Sequence, residues 1–269
     1  MKNYIKAALT GVFAASIATA AAADEIQDIM DAGKIVVGVK NDYKPWGYLT
    51  SDGELKGLEI DLAKDIAARL GVEVELVPVV SSNRMEFLQQ GRIDLIIATM
   101  GDNEKRREVV GMIEPNYYAG GTNVIAPKAA DLNTWEDLRG NDVCAIQGAY
   151  YNRRVTEAYG PTLVAFAGIP EATAALKNGS CVAFLYDNTW IESQLASEDQ
   201  WADFEMPFDT EDPQAWAIAV PLEALGEAYG QKISEIVTDW HKSGFLIERN
   251  AANGIAPSAF LQEQHDKLQ

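Results

Sequence analysis

The order of apolar patterns predicts an α/β protein of two lobes, each a mostly parallel sheet flanked by helices, joined by two extended crossing strands. Three observations carry this expectation. Strand-like and helix-like stretches alternate along residues 34–99 and again along residues 142–187, an alternation that belongs to parallel sheets with helices on their faces. The segments "LQQGRIDLIIAT" (88–99) and "LKNGSCVAFLYD" (176–187) share a Leu, two polar residues, Gly and then an apolar strand closed by a polar residue. Finally, "GGTNVIAPK" (120–128) and "PQAWAIAVP" (213–221) are short apolar strands bracketed by Gly or Pro, as a two-strand hinge requires.

The chain opens with "MKNYIK", carrying Lys2 and Lys6, followed by the small and apolar run "AALTGVFAASIATAAAA". This is the pattern of a secretory signal peptide over residues 1–23, with Ala21 and Ala23 meeting the small-residue cleavage rule before Asp24. No later segment approaches 18 continuous apolar residues, so a soluble, exported chain is expected, in the periplasm. The 40 Asp+Glu against 22 Lys+Arg give a formal charge of -18, and loss of the two lysines would make it -20. Such a surface repels nucleic acid and anionic lipid.

The remaining length of about 246 residues accommodates two lobes. "KIVVGV" (34–39) is a buried strand, and after a polar loop "GLEIDLAKDIAARLG" is a helix with Ile60, Ala63, Ile66, Ala67 and Leu70 on one face and Gly71 as its stop. Val72, Val74 and Leu76 alternate with Glu73 and Glu75 as a strand. A short helix from Arg84 to Gln90 and the strand "IDLIIAT" complete the first unit. The second reads "DVCAIQG" strand, "YYNRRVTEAYG" helix, "TLVAFAG" strand, "IPEATAALKNG" helix and "SCVAFLYD" strand. "LEALGEAYGQKISEIVTDWHKSG" is amphipathic helix returning to the first lobe. The expected division is 24–122 for the first part of lobe one, 123–215 for lobe two and 216–269 for the return.

Cys144 and Cys181 are the two cysteines, 37 positions apart. In an oxidising compartment one disulfide is the economical reading, with a buried thiol pair as the alternative. A loop of that size is worth roughly 4 kcal/mol before native strain is subtracted. Neither these cysteines nor His241 and His265 have zinc-type spacing, and there is no P-loop, so no metal or cofactor is expected.

One stretch of this acidic chain is crowded with cations. Arg84, Arg92, Lys105, Arg106 and Arg107 flank the apolar run of "NRMEFLQQGRIDLIIATMGDNEKRREVV" (83–110). Asp102 and Asn103 are N-cap residues with Glu104 behind them, so a helix starts just after the strand and sets Arg106 beside the strand's carboxyl end. There a guanidinium can meet a ligand carboxylate with two hydrogen bonds. The spacing fits equally a solvated helix face with Lys105, Arg106 and Arg107 paired to Glu104 and Glu108. In open parallel sheets ligands gather at strand carboxyl ends, which here are Thr99 and Asp187, and two such ends facing each other make a cleft. Asp187 also reads as an N-cap before "NTWIESQL".

From about Gly33 to Lys267 the chain resembles the periplasmic solute-binding proteins of ABC importers for polar amino acids, the type II two-lobed periplasmic binding protein fold. The resemblance lies in "KPWGYLTSDGELKGLEIDLAKDIAARLG", "NRMEFLQQGRIDLIIATMGDNEKR", "NYYAGG" and "AIQGAYYN". It implies that Arg106 takes a ligand α-carboxylate, aided by Thr99 and by backbone N–H groups of Met100 and Gly101. It implies further that Asp187 takes the α-ammonium and that Tyr43 and Trp46 wall the pocket. It is nearest to members for glutamate or aspartate, in which Lys40 and Arg84 would meet a distal carboxylate and Glu59 would orient one of them. Were Glu59 to face the ligand unpaired, a basic side chain would suit it better.

Two stretches depart from the family pattern: Gly148, Ala149 and Tyr150 stand where Gly-Thr-Thr is common, and Gly101 where Ser or Thr is common. The expected partners are a free amino acid and the importer's membrane permease, and the protein is expected to be a monomer and not an enzyme. Two other functions share the scaffold: a periplasmic prephenate or arogenate (cyclohexadienyl) dehydratase, for which Glu59 is the one nameable acid or base, and a sensory partner that presents its ligand to a receptor.

Overall fold

The computed structural model describes residues 25–197 and 199–269; the expected signal peptide, residues 1–23, lies outside them. The first sheet has five strands in the spatial order Glu73–Pro78, Lys34–Val39, Leu95–Ile97, Ala219–Val220 and Gly111–Met112. Its first three strands run parallel, and Ala219–Val220 is antiparallel to both of its neighbours. The second sheet places Thr162–Phe166, Asp142–Ile146, Ala183–Asp187, Tyr118–Pro127 and Phe204–Glu205 side by side, with Glu211–Trp216 also pairing to Tyr118–Pro127. Here too the first three strands are parallel, and Tyr118–Pro127 is antiparallel to Ala183–Asp187. The chain passes between the sheets twice: first at 113–117 rather than in the expected 120–128, which lies almost wholly in strand Tyr118–Pro127 of the second sheet, and then at 216–218, within the expected 213–221. The two passages hydrogen-bond to each other, Ile113 N donating to Ile218 O and Tyr117 N to Trp216 O, both at 2.9 Å.

Helix Leu58–Leu70 shows how pattern becomes packing. Ile60, Ala63, Ile66 and Ala67 are buried and Leu70 half-buried, whereas Lys64, Ala68 and Arg69 are exposed. Burial of each large apolar side chain stabilises by about 1.5–3 kcal/mol. Gly71 ends the helix at φ 73°, a left-handed cap that a residue without Cβ adopts freely. In Glu73–Pro78 the alternation of exposed glutamates with half-buried Val74 and Leu76 survives as a two-faced edge strand.

Three local expectations differ from the structure. The polar loop after Lys34–Val39 holds a small antiparallel sheet of Asp42–Tyr43, Gly47–Leu49 and Leu55–Lys56, strands too short to show a period. The helix capped by Asn103 has only four residues, Glu104–Arg107, because the chain turns at once into strand Gly111–Met112. The long helix expected over 222–244 is interrupted: a 3-10 turn at Leu222–Ala224 is followed by Gly226 and an extended Glu227 before helix Ala228–Ser243 begins. Helices Phe245–Ala252 and Ala259–Leu268 close the described chain.

Cys144 and Cys181 are disulfide-bonded with Cα atoms 5.5 Å apart, and no free cysteine remains among the described residues. Cys144 lies within Asp142–Ile146, while Cys181 stands two residues ahead of Ala183–Asp187 rather than inside it.

Gly57 sets the angle at which helix Leu58–Leu70 enters. Its φ is 128°, and a Cβ there would lie 2.3 Å from the Trp46 carbonyl oxygen. Gly57→Ala should therefore destabilise the fold by about 1–3 kcal/mol, read as a lowered midpoint in urea unfolding.

Candidate ligand site in the cleft between the sheets

Strand ends from the two sheets converge. Thr99 follows strand Leu95–Ile97 and Asp187 ends Ala183–Asp187. Together with Ser81, Arg84, Arg106, Ala149, Tyr150, Tyr151 and Tyr186 they line an inner cavity of about 10 Å³, the space of about one water. Five of these residues, Thr99, Asp187, Arg84, Arg106 and Tyr150, are ones the sequence had singled out. Ala149 had been noted only as a departure from the family pattern, and Ser81, Tyr151 and Tyr186 were not singled out, although Tyr151 and Tyr186 each adjoin a residue that was.

Arg106 is 7% exposed. Its backbone N–H is accepted by the Asn103 side chain at 3.1 Å, which fixes the turn. Its guanidinium donates to Gly101 O at 2.7 Å and, across the cleft, to Gly148 O at 3.2 Å. Burial, with neighbouring Arg84 adding to the effect, pushes its pKa down to about 9, so it remains a cation at neutral pH. The adjacent Arg107 turns outward to Asp102 and Glu114 with its side chain 39% exposed, and Lys105 is exposed. Arg92 lies over the Phe87 ring. The run of cations thus divides into two buried guanidiniums at the cavity and three outward-facing charges.

Asp187 is likewise 7% exposed. Its Oδ2 accepts the Tyr43 hydroxyl at 3.0 Å, a contact from one lobe to the other. Burial raises its pKa to about 6, against the opposing pull of the Tyr43 hydrogen bond and of Arg84, Lys40 and Arg106. Arg84 is buried, donates to the Ala98 carbonyl, and has its pKa lowered by burial.

The other expected residues stand around the cavity rather than on its wall. Glu59, from the first turn of its helix, accepts Thr99 N–H at 2.6 Å and the Tyr117 hydroxyl through Oε1, while its buried Oε2 has no hydrogen-bond partner among the described residues. The bond to Thr99 holds a β-branched residue at φ 48°, a left-handed conformation that such residues seldom take and that costs about 1–3 kcal/mol. Burial raises the Glu59 pKa to about 7. Lys40 is fully buried with its ammonium 3.1 Å from Asp42 Oδ1. Tyr43 and Trp46 are fully buried, their ring centroids 5.3 Å apart edge to face, in a cluster with Tyr118, Tyr186 and Trp216. Met100 is buried in the apolar core of the first sheet. Gly148, at φ 78°, brings backbone of the second lobe against Ser81 and Ser82, where a Cβ would lie 2.9 Å from main-chain atoms.

A cleft between two sheets, with opposite charges at equivalent strand ends, defines a small-molecule binding protein. The profile of the bacterial extracellular solute-binding proteins, family 3, matches residues 35–252, and the chain belongs to that family. It is 31% identical to the ABC transporter glutamine-binding protein GlnH of Bacillus subtilis over 80% of this chain and 81% of that protein. It is 24% identical to the L-glutamate/L-aspartate-binding protein of Pseudomonas aeruginosa over 87% of this chain and 82% of that one. Among solved structures it is similar to holo ArgBP from T. maritima, with TM-score 0.75 and 27% identity over 82% of this chain and 96% of that one. The solute receptor for L-cysteine of Neisseria gonorrhoeae gives TM-score 0.79 and 25% identity, covering 85% and 92% of the two chains. These relatives are binding proteins rather than enzymes.

The buried Glu59 generates a prediction. A carboxyl whose pKa is raised on folding stabilises below its unfolded value, near 4.5, and loses that contribution as pH rises through about 7. Relative to wild type, Glu59→Gln should therefore gain stability between pH 4.5 and pH 8, on the order of 3 kcal/mol. Urea unfolding at the two pH values measures it, and a pH-independent difference would contradict it.

Proposed function

We propose that this protein is the ligand-capturing component of an ABC importer for an amino acid with a second carboxylate, glutamate or aspartate, held between the two lobes and delivered to a membrane permease. The observation that carries this reading is the charge around the inner cavity, lined by two arginines and one aspartate; because its space is that of about one water, the lobes part about the hinge to admit a ligand of this size. A dicarboxylic amino acid supplies their counterparts: its α-carboxylate to Arg106, its ammonium to Asp187 and its distal carboxylate to Arg84. Thr99 and the backbone at Met100 and Gly101 assist the α-carboxylate, and Glu59 orients from behind through Thr99. The glutamate/aspartate-binding relative supports the choice, and the more similar glutamine-binding relative sets the competing one.

In this reading the chain divides near the expected boundaries, with the paired passages at Ile113–Tyr117 and Trp216–Ile218 as the hinge and the mature protein acting in the periplasm. Capture at about 1 μM needs roughly -8.2 kcal/mol. For a ligand of about ten heavy atoms that is near -0.8 kcal/mol per atom, high for a small ligand. Enclosure between lobes with both charged ends paired meets that demand.

Calorimetry of the ligand-stripped protein with glutamate, aspartate, glutamine, arginine and cysteine tests the reading. Preference for glutamate or aspartate is expected, and preference for glutamine would transfer the assignment to the amide. Arg106→Ala and Asp187→Ala should each fold yet weaken binding by roughly 2–5 kcal/mol, because each leaves a ligand charge buried without its partner. Arg107→Ala, whose guanidinium faces outward, should change it by less than about 0.5 kcal/mol. Unaltered binding in the first two variants would remove the chemical basis of the clamp.

A further inference from the structure

A second, larger cavity of about 650 Å³ lies outside the first, between Asp102, Asn103, Glu104 and Lys105 of the first lobe and Gly148 and Arg153 of the second. Arg106 and Tyr150 line both cavities, and they are the two residues common to both walls. They therefore form the partition between the enclosed inner space and the outer one. Arg106 is held on its own lobe by Gly101 O. Tyr150 reaches the partition from the other lobe, and its hydroxyl does not point at Arg106. It donates to Asp212 O at 3.1 Å and lies 3.4 Å from Thr122 Oγ1, so strands Glu211–Trp216 and Tyr118–Pro127 fix the ring's position.

The ring rests on Gly101. A Cβ at that position would lie 3.2 Å from Tyr150 Cδ1, 3.4 Å from Cε1 and 3.5 Å from Arg106 Nη1. The first distance is tighter than an ordinary van der Waals contact, so a side chain at 101 would have to displace the ring or the guanidinium. The large residue at 150 and the missing side chain at 101 are thus complementary, and both belong to the carboxylate end of the site.

We propose that Tyr150, seated on the bare backbone of Gly101, is the specificity-determining wall at the carboxylate end of the site, excluding ligands extended through the α-carboxyl group, such as dipeptides with the amino acid at their N-terminus. The proposal rests on the reading that Arg106 takes an α-carboxylate. A free carboxylate ends at the guanidinium, whereas a peptide bond there carries the chain onward through the space the phenol ring fills. Replacing the ring by a small side chain joins the inner space to the outer cavity, where Lys105 can meet the displaced carboxylate; the same wall carries Asp102 and Glu104, and its Arg153 lies 3.5 Å from Glu157.

The test is the ratio of dissociation constants for dipeptide and free amino acid, measured by calorimetry with two matched pairs: L-glutamyl-glycine with L-glutamate, and L-glutaminyl-glycine with L-glutamine. Wild type is expected to favour the free amino acid by about a hundred-fold or more, and Tyr150→Thr to reduce that ratio by at least about ten-fold. Tyr150→Phe keeps the ring and should retain the wild-type ratio within about three-fold. Gly101→Ala should weaken free amino acid binding, and adding Tyr150→Thr to it should recover part of the loss, because the overlapping ring is gone. A merely structural role for Tyr150 would weaken both ligands of a pair alike and leave the ratio unmoved. If wild type binds an amino acid and Tyr150→Thr keeps the wild-type ratio, the wall is overturned while the transport reading stands. If wild type binds no free amino acid, the transport reading fails and the wall fails with it.

Discussion

Burying charge between two sheets is the constraint on which the rest of this structure depends. Lys40, Glu59, Arg84, Arg106 and Asp187 are all buried, and a charge taken out of water is costly unless it is paired or hydrogen-bonded. The partners are specific. Arg106 has two carbonyls, Arg84 has Ala98 O, Asp187 has the Tyr43 hydroxyl, and Lys40 has Asp42. Of these, the Arg106 bond to Gly148 and the Tyr43 bond to Asp187 join opposite lobes. The geometry that satisfies the charges is therefore also the geometry in which the lobes meet.

The sheets make that meeting possible by ending at the same place. Parallel strands in each lobe carry their carboxyl ends toward the cleft, which puts Thr99 and Asp187 opposite each other without any special loop. The passages through Ile113–Tyr117 and Trp216–Ile218 are hydrogen-bonded into a pair, so the chain itself links the lobes through a narrow two-stranded ribbon, while buried apolar side chains of both lobes pack into one continuous cluster. Aromatic rings do the packing around it: Trp216 stacks on Tyr118 with centroids 5.2 Å apart and meets Trp46 at 6.0 Å. This places a rigid apolar block beside the polar cavity, where water would otherwise weaken the charges.

How much of this was legible in the sequence depended on whether the signal was periodic. The parallel strands and the Leu58–Leu70 helix repeat at regular spacing, and Thr99 and Asp187 were found because they stand where two matching strands stop. Arg106 was found as a helix-start residue, and the structure separates it from Arg107 by burial, which spacing could not do. The short strands at 42–56 were invisible because two or three residues hold no period. Tyr151 and Tyr186 were missed for a different reason. Tyr186 ends an apolar run and reads as core, and Tyr151 opens a polar helix and reads as its first turn, until the opposite lobe is in place to show that each ring also faces a cavity.

Lys40 illustrates the limit most clearly. Its position at the end of strand Lys34–Val39 suggested a direct contact with a ligand carboxylate, yet its ammonium lies on Asp42, two residues along, which only the turn into the next short strand brings into reach. Asp42 in turn accepts the Ile169 N–H at 3.0 Å, the first residue of helix Ile169–Lys177 in the other lobe. The lysine is thus engaged with an acid that bridges the lobes, and its charge still acts on Asp187 at longer range, lowering that carboxyl's pKa. The whole buried group then contains Lys40, Arg84 and Arg106 against Asp42, Asp187 and Glu59. Burial pushes Glu59 up to about 7, so near neutral pH it offsets the charge of Lys40, Arg84 and Arg106 less than an ordinary carboxylate would, and the group carries an excess of positive charge. A zwitterion with no further charge leaves that excess in place, whereas a ligand with two carboxylates and one ammonium neutralises it. In a low-dielectric cleft a unit of charge left unbalanced is costly, and this is the electrostatic ground of the proposed preference for a dicarboxylic amino acid over its amide.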